Sequence, residues 1–465
     1  MRPRNEPARA ALPALLRRRA PVGAAALVAE LAISPATLHR LLAELSSQLV
    51  AAGQARRTRY ALRRPLRGML GELPVVEIDP QGRADQVARL LPLHGGGSFM
   101  SLAGSAWPVP AESVDGWWPG LPYVVNDMRP QGYLGRQLAR LHHAALQLPP
   151  QPQDWHDDDV LHALSQVGSD SSGSLIVGEA AFAAWQATLL APPEPLAQRG
   201  LATAYARLAQ QAVNSGVAGS SAAGEFPKFP ALRHLQGSQT PHVLVKFSGA
   251  DGSAAVQRWA DLLVCEHLAL QCAAALPGCS AAASRVLVHA GRTFLEVERF
   301  DRHGLFGRSP LLSLDTADAA LVGAASSDWT LLAARLAQGG WLDADGVRVV
   351  EQLWWFGRLI ANTDMHTGNL SFRPFGGRLL PAPVYDMLPM FFAPLPGGEV
   401  ATARNFEPPL PPPQQTAAWA AGCAAALRFW ALAAADSRLS SPFRAICAAS
   451  GQRLQQVADR VRPSG

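Results

Sequence analysis

The stretch NTDMHTGNLSF, residues 362–372, places Asp364, His366 and Asn369 within six residues of an otherwise apolar region. Asp364 and Asn369 have the D-x-x-x-x-N spacing of a protein-kinase catalytic loop, in which the Asp accepts a hydroxyl proton and the Asn binds Mg²⁺. The same pattern also arises by chance in capped turns. The stretch therefore indicates a kinase-like fold only if the remaining parts of a phosphotransferase occur around it in order.

Those parts are present in the expected order. Lys246 lies in the middle of the strand-like HVLVKFS, where a charged group is costly unless it is paired, and Glu266 follows twenty residues later on a predicted helix. Asp386 ends the apolar strand LLPAPVYD. This order predicts a Lys–Glu ion pair, with Asp364 as the catalytic base and with Asn369 and Asp386 as magnesium ligands.

Other metal chemistry is less well supported. A zinc site at Asp364 and His366 lacks further ligands at suitable spacing, so His366 is assigned to bracing the loop near the phosphates. The five cysteines form no CxxC pair. Cys265, Cys272 and Cys279 recur every seven residues, which indicates one buried face of a helix rather than a metal site.

The lysine content supports the same chemistry independently. Of the 41 basic residues only two are Lys, namely Lys228 and Lys246, and the other 39 are Arg. A compact ammonium fits a tight site between phosphates better than the broad guanidinium fork. Both lysines are therefore predicted to contact phosphate groups.

The first 67 residues carry thirteen Arg against three Glu, which predicts a polyanion partner for the head of the chain. Ser34 and Pro35 are a helix N-cap and first-turn signal, and the pattern around them reads as helix, tight turn, helix. The following QARRTRYALRR would form the wing of a winged helix-turn-helix. Thr37, His39 and Arg40 are expected near base edges, and Arg56, Arg57 and Arg59 near phosphates. The alternative is a basic helical hairpin that packs on the rest of the protein.

Motifs across the remaining chain resemble the HipA family of bacterial serine/threonine kinases, the toxins of type II toxin–antitoxin modules. The motifs are SAAGEFPKF, HVLVKFS, LEVERFDR, TDMHTGN and PVYDMLP, in that order, within residues 70–450. The fused head is similar to the YjjJ-like branch of that family. The resemblance implies an α+β chain with a winged helix-turn-helix, residues 1–66, and a HipA N-terminal subdomain, residues 67–200. A two-lobed kinase-like fold follows, with its N-lobe at 201–302 and a mainly helical C-lobe at 303–465.

The resemblance also implies a role for each matching position. These are a phosphate-binding loop of Ala223, Gly224, Glu225, Phe226, Pro227 and Lys228, an ATP-phosphate lysine at Lys246, an adenine-contacting hinge at Glu298 and Phe300, a nucleotide-side position at His366, the catalytic Asp364, the magnesium ligands Asn369 and Asp386, and an autophosphorylated Ser221. Ser220 is an adjacent alternative for the last position, and GEFPK departs from the loop order usual in the family.

The leading hypothesis is an ATP- and Mg²⁺-dependent serine/threonine kinase that phosphorylates itself and a cellular protein such as a translation factor or aminoacyl-tRNA synthetase. Its head would bind DNA and regulate its own operon, and a separate antitoxin partner stays open. Two alternatives are a transcriptional regulator with a nucleotide-sensing, non-catalytic domain and a small-molecule phosphotransferase. The sequence shows no uninterrupted apolar run long enough for a membrane span and no clean signal peptide, so the expected location is the cytoplasm.

Overall fold

The computed structural model describes residues 5–69, 71–214, 226–395, 397–400 and 405–461, which form a mixed helix-and-sheet structure. Residues 6–62 form three helices and a small antiparallel sheet of order β1-β3-β2. The elements are α1 (Glu6–Arg18), β1 (Val22–Gly23), α2 (Ala24–Leu31), α3 (Pro35–Glu44), β2 (Leu49–Ala52) and β3 (Arg59–Leu62). Helices α2 and α3 are bent by 103° at the turn between them. Ser34 caps α3 as expected, because its Oγ accepts a hydrogen bond from the backbone N of Thr37 at 3.2 Å.

Only part of the segment expected to form the wing is a strand. Arg56 and Arg57 do not lie in the strand, which begins at Arg59; they form one 3₁₀ turn between β2 and β3. Gly53 has a φ of +109° there, and a Cβ atom at this position would lie 2.6 Å from the carbonyl oxygen of Arg57. The chain therefore turns sharply before the strand starts.

Residues 73–214 form a second sheet with helices packed around it. The elements are β4 (Leu73–Ile78), β5 (Ala84–Pro92), β6 (Ser98–Phe99), β7 (Trp117–Trp118), α4 (Tyr123–Asn126), α5 (Gly132–Leu146), α6 (Asp157–Val167), β8 (Leu175–Val177), α7 (Glu179–Leu190) and α8 (Leu201–Asn214). The sheet order is β7-β6-β5-β4-β8, with antiparallel neighbours.

A third sheet, of order β11-β12-β10-β9, carries the lysines and packs on a long buried helix. The elements are β9 (Lys228–Leu232), β10 (His242–Phe247), α9 (Ala254–Ala273), β11 (Ser284–His289) and β12 (Arg292–Glu298). Cys265 and Cys272 are buried on α9, as the seven-residue spacing predicted, but the helix ends at Ala273, so the prediction was wrong for Cys279, which follows the helix and is partly buried.

The remaining residues are mainly helical and hold the predicted catalytic loop. The elements are β13 (Arg302–His303), β14 (Gly307–Arg308), β15 (Leu312–Ser313), α10 (Leu314–Ala317), α11 (Trp329–Gln338), α12 (Ala344–Leu359), β16 (Ser371–Phe375), β17 (Arg378–Pro381), α13 (Thr416–Ala435) and α14 (Ser441–Val461). By length and composition, residues 413–435 could cross a bilayer. However, α13 packs against α12 and α14 and buries Trp419 and Trp430, as a core helix does.

The head shares an apolar core with the second sheet. Val50 and Ala61 of the β2–β3 hairpin are buried against Leu91, Leu93 and Trp117. Ion pairs surround this core: Arg64 binds both carboxylate oxygens of Asp158, and Arg67 Nη2 lies 2.5 Å from Asp159. The acidic run Asp157, Asp158 and Asp159 lies in the first turn of α6, where negative charge is favourable. The carboxylates of Asp158 and Asp159 also bind the head through Arg64 and Arg67.

A second ionic joint connects residues 170–173 to the segment after β12. Asp301 is buried and accepts hydrogen bonds from Arg299 Nη2 at 3.0 Å, Arg302 Nη1 at 2.6 Å and the backbone N of Gly173 at 3.0 Å. Asp170 binds the same two guanidinium groups, each at 2.9 Å. Burial raises the pKa of Asp301, but the charges of Arg299 and Arg302 outweigh this and hold the pKa below its usual range.

We expect Asp301→Asn to destabilise the fold by about 3 kcal/mol at neutral pH, because it leaves Arg299 and Arg302 short of a buried anion. Since the pKa of Asp301 is lowered by folding, its contribution is full above pH ~4 and decreases as the pH falls below that value. The difference from the wild type in urea unfolding should therefore shrink in acid. Asp345→Asn, which removes the exposed ion pair with Arg348, is the control and should cost less than ~0.5 kcal/mol. If both variants lost the same free energy of unfolding, the stabilising role of the ion pairs at Asp301 would be contradicted.

Candidate active site

The centre of the site is a buried ionic triad at the junction of β10, α9 and the segment after β17. Lys246 Nζ donates to both carboxylate oxygens of Glu266, at 2.7 and 2.8 Å, and also to Oδ1 of Asp386. The side chains of Lys246 and Glu266 are 7% and 1% exposed. Burial lowers the pKa of Lys246, and the carboxylate of Glu266 opposes that shift. An ammonium so placed has a fixed position and can be presented to a ligand.

The two lysines of the chain are direct neighbours across strands β9 and β10. Lys228 is the register partner of Lys246 in this antiparallel pair, so both side chains leave the same face of the sheet. The charge of Lys228 contributes to lowering the pKa of Lys246. Like charges placed opposite one another are unfavourable on their own, and here the carboxylates of Glu266 and Asp386 lie beside Lys246.

The predicted catalytic loop is held by its own side chains. Asn369 Nδ2 donates to the backbone oxygen of Asp364 at 2.8 Å, which closes the loop and leaves the amide oxygen of Asn369 as the atom suited to a cation. His366 caps the 3₁₀ turn Thr367–Asn369, since its Nδ1 accepts from the backbone N of Gly368 at 3.2 Å. The bracing role expected for His366 therefore has a geometric basis.

Asn362 connects the two halves of the site, and sequence reasoning assigned it no role. Its Oδ1 accepts from the backbone N of Asp364 at 3.0 Å, and its Nδ2 donates to the backbone oxygen of Asp386 at 3.3 Å. The side chain is buried. Asp386 has a φ of +54°, which is strained for a residue with a side chain. The quoted stretch contains Asn362, but nothing local could show that its amide reaches a residue 24 positions away.

Two further hydrogen bonds hold the catalytic loop in place. Thr367 Oγ1 donates to Asp315 of α10 at 2.7 Å. The hydroxyl of Tyr385 donates to the backbone oxygen of Gly368 at 2.7 Å, and the ring of Tyr385 lies 5.7 Å from that of Phe300. Tyr385 therefore links the expected hinge to the catalytic loop.

Asp364 faces a cavity of about 530 Å³ that is separate from the lysines. Its walls include the residues Trp354, Arg358, Asn362, Thr363, Met365, His366, Phe406 and Glu407. Asp364 itself is exposed. Arg358 lies over the rings of Trp354 and Trp355, at 5.4 and 5.7 Å from their centroids, which holds its guanidinium at the rim. The exposed carboxylate is thus accessible to a large polar molecule.

Several residues expected to contact a nucleotide lie elsewhere or are not described. Ala223, Gly224, Glu225, Ser220 and Ser221 fall outside the described residues. Phe226 is buried against Trp259, with ring centroids 4.8 Å apart, so its side chain belongs to the core. The carboxylate of Glu298 accepts from Arg233 and Ser238, each at 2.6 Å, and its backbone N donates to the oxygen of Ala283 at 2.8 Å, so these groups are engaged within the protein.

The head residues expected to bind DNA lie on α3 and the hairpin tip. His39 and Arg40 of α3 and Arg56 and Arg57 of the 3₁₀ turn are exposed, while Thr37 and Arg59 are half-buried. Among the described residues, no group of three or more His, Cys, Asp or Glu side chains is placed to hold a metal ion. The magnesium ligands proposed from sequence, one amide and one carboxylate, are therefore a partial donor set that phosphate oxygens would complete.

Comparison with known proteins shows the family of the chain. Residues 69–186 match the family model of the middle domain of YjjJ-like toxins, and residues 220–453 match that of the HipA-like C-terminal domain. The chain is 38% identical over 441 residues to Toxin YjjJ of Escherichia coli strain K12, covering 94% of this chain and 95% of the relative. Among solved structures, it resembles a chain of the toxin–antitoxin complex of HipA, HipB and operator DNA from Shewanella oneidensis MR-1. That match has a TM-score of 0.52 and 16% identity and covers 83% of this chain and 97% of the other, which shows a similar fold.

We expect Lys246→Met to destabilise the protein by about 3 kcal/mol, because it leaves the carboxylate of Glu266 buried without a cation. The double variant Lys246→Met/Glu266→Met should recover at least ~1 kcal/mol of this loss. Chemical denaturation of the wild type, the two single variants and the double variant measures the coupling. The exposed pair Arg348 and Asp345 serves as the reference cycle, with a coupling below ~0.5 kcal/mol. Additive losses at Lys246 and Glu266 would contradict the buried pair.

Proposed function

Because the chain belongs to the family of YjjJ-like, HipA-type toxins, we propose that it is an ATP- and Mg²⁺-dependent protein serine/threonine kinase with a DNA-binding head. The observation that carries the proposal is the placement of Lys228 opposite Lys246, with Lys246 held by Glu266. Two neighbouring ammonium groups on one strand face suit a polyphosphate such as the phosphates of ATP. Lys246 would bind and orient the phosphates.

Asp364 would act as the catalytic base. Its exposed carboxylate accepts the proton of a substrate hydroxyl as the hydroxyl oxygen bonds to the γ-phosphorus and the bond from that phosphorus to the bridging oxygen breaks. Asn362 and Asn369 bind the backbone of Asp364 on both sides, so the carboxylate starts from a defined position. Asn362 and Asn369 would therefore contribute to catalysis mainly by positioning the base.

The amide oxygen of Asn369 and the carboxylate of Asp386 would hold Mg²⁺. Both are hard oxygen donors, and Mg²⁺ is commonly held by one or two carboxylate or amide groups together with substrate phosphates. Bound magnesium would neutralise phosphate charge during transfer. Asp386 has a carboxylate that already lies beside Lys246, so the same residue couples the cation site to the phosphate-binding lysine.

The cavity at Asp364 would receive the acceptor segment of a protein substrate. It has polar and aromatic walls, which suit a peptide carrying a Ser or Thr hydroxyl. We propose the same chemistry for autophosphorylation at Ser221, or at the adjacent Ser220. A small-molecule acceptor is a second candidate, and the assay below distinguishes the two.

The head would bind DNA as a winged helix-turn-helix. The 103° bend between α2 and α3 is within the range of that motif, and α3 exposes His39 and Arg40 while the hairpin tip exposes Arg56 and Arg57. The Shewanella structure is a complex with HipB and operator DNA, and we extend to this chain the proposal of a separate antitoxin partner and a cytoplasmic location.

Asp364→Asn should reduce transfer of labelled phosphate from ATP by at least about 10²-fold, because the proton acceptor is lost. Nucleotide affinity should stay within about twofold, since Asp364 does not bind the phosphates. Asp345→Asn, an exposed change on α12, is the control and should transfer at the wild-type rate. Transfer is measured on the protein itself, on a bacterial lysate after induction and on small-molecule acceptors.

Each result of this assay has a defined meaning. A wild-type protein that binds ATP tightly but transfers phosphate to no acceptor would reject the kinase in favour of a nucleotide-sensing regulator. Transfer to small molecules alone would favour the phosphotransferase. An active Asp364→Asn variant would reject the assignment of the base.

Arg56→Ala/Arg57→Ala should weaken DNA binding and reduce the slope of log affinity against log salt by about two, because two phosphate contacts are lost. Fluorescence anisotropy with a duplex at several salt concentrations measures both quantities. Arg9→Ala removes a head arginine that pairs with Glu44 on α3, and it is the control. Salt-independent binding, or a slope unchanged in the double variant, would contradict the wing contact.

A further inference from the structure

A second cavity, of about 420 Å³, lies beside the expected hinge and apart from the lysines and Asp364. It is enclosed by the link between α7 and α8, by strands β9 and β10, and by the segment from Arg299 to Arg308. We propose that this cavity binds a small organic anion, in which a phosphate or carboxylate group is attached to an apolar body.

The charged wall of the cavity holds more cations than anions. Arg299 and Arg302 pair with the carboxylates of Asp170 and Asp301, and Arg308 lies close enough to feel the same charges, so three guanidinium groups accompany two carboxylates. All three arginines are at least nine-tenths buried. One buried positive charge is therefore left without a counter-charge in this cluster, which an incoming monoanion would supply.

Arg308 is the residue that carries the excess. Its Nη2 donates to the backbone oxygen of Ser169, but its Nη1 is buried and has no hydrogen-bond partner among the residues that the structure describes. Nε of Arg302 is also buried and has no hydrogen-bond partner among these described residues. Unsatisfied buried donors are rare in folded proteins, and at the wall of a cavity they indicate a missing acceptor.

The titration behaviour agrees with this geometry. Burial, followed by the charge of Arg302, lowers the pKa of Arg308 to about 9. His242 also lines the cavity and adds no further positive charge at neutral pH, because burial lowers its pKa. Its Nε2 lies 2.8 Å from the backbone oxygen of Leu305. At the rim, Arg207 and Glu194 are exposed and offset each other.

The rest of the cavity wall is apolar and defines the body of the ligand. It is formed by Trp185, Leu196, Leu208, Leu232, Leu305 and Phe306. A cavity of this size with an apolar wall and a few convergent donors has the composition of a small-molecule site. Inorganic phosphate would satisfy the cations but leave this surface in water. An aromatic or aliphatic phosphate or carboxylate matches both parts.

Isothermal titration calorimetry with phenyl phosphate, inorganic phosphate and benzyl alcohol tests the proposal on the full chain. Phenyl phosphate should bind at least about tenfold more tightly than inorganic phosphate, and benzyl alcohol should show no measurable binding. Arg308→Gln, which removes the excess charge, and Leu208→Trp, which fills the apolar side and leaves the ion cluster intact, should each weaken binding of phenyl phosphate by about tenfold. Arg89→Gln, an exposed change on β5, is the control.

Lys246→Met separates this cavity from the nucleotide site, because phenyl phosphate could also bind the lysines. Affinity unchanged by Lys246→Met but reduced by Leu208→Trp would support the cavity. Loss of phenyl phosphate binding in Lys246→Met would overturn it, and so would wild-type affinity in both cavity variants. A wild-type protein that binds phenyl phosphate no more tightly than inorganic phosphate would also overturn it. Leu208→Trp keeps the test decisive if Arg308→Gln does not fold.

Discussion

The ion triad of Lys246, Glu266 and Asp386 is the interaction on which the site depends. It joins a strand, a helix and an irregular segment that are far apart in the chain, and its members are largely removed from water. A buried pair of this kind costs desolvation energy and contributes little net stability compared with an apolar core. Its retention in the interior therefore indicates a positioning role: the two carboxylates hold the ammonium in a fixed place.

The positioning extends from the triad to the catalytic loop through backbone contacts. Asn362 binds the backbone of both Asp364 and Asp386, so the expected base and the expected magnesium ligand share one amide side chain. Asn369 closes the loop through the backbone oxygen of Asp364, and the hydroxyl of Tyr385 binds the backbone oxygen of Gly368. A change in the strained backbone at Asp386 would be transmitted to Asp364 over two hydrogen bonds.

The parts of the site with a local signature could be predicted from the sequence. The Lys246–Glu266 pair and the D-x-x-x-x-N loop follow from burial cost and from spacing, and the cap at Ser34 from residue type. The register of Lys228 against Lys246 could be suspected from composition but depends on strand pairing. The clamp of Arg64 on Asp158 bridges 94 residues, and a local pattern carries no information on such a contact.

The motif ERFDR shows how a strong sequence signal can be interpreted incompletely. It was assigned to the adenine-contacting hinge, yet the side chains of Arg299, Asp301 and Arg302 point to residues 170–173 and form the joint between the middle segment and the kinase-like part. The hinge backbone and this joint are consecutive residues of one segment. The head is in turn joined to the middle segment by the buried apolar contacts of its hairpin and by the partly exposed ion pair of Arg64 with Asp158. The two joints therefore differ in kind: breaking the one at Asp301 leaves buried charges unpaired, whereas the ion pair at Arg64 is open to water and contributes less than the apolar core beside it.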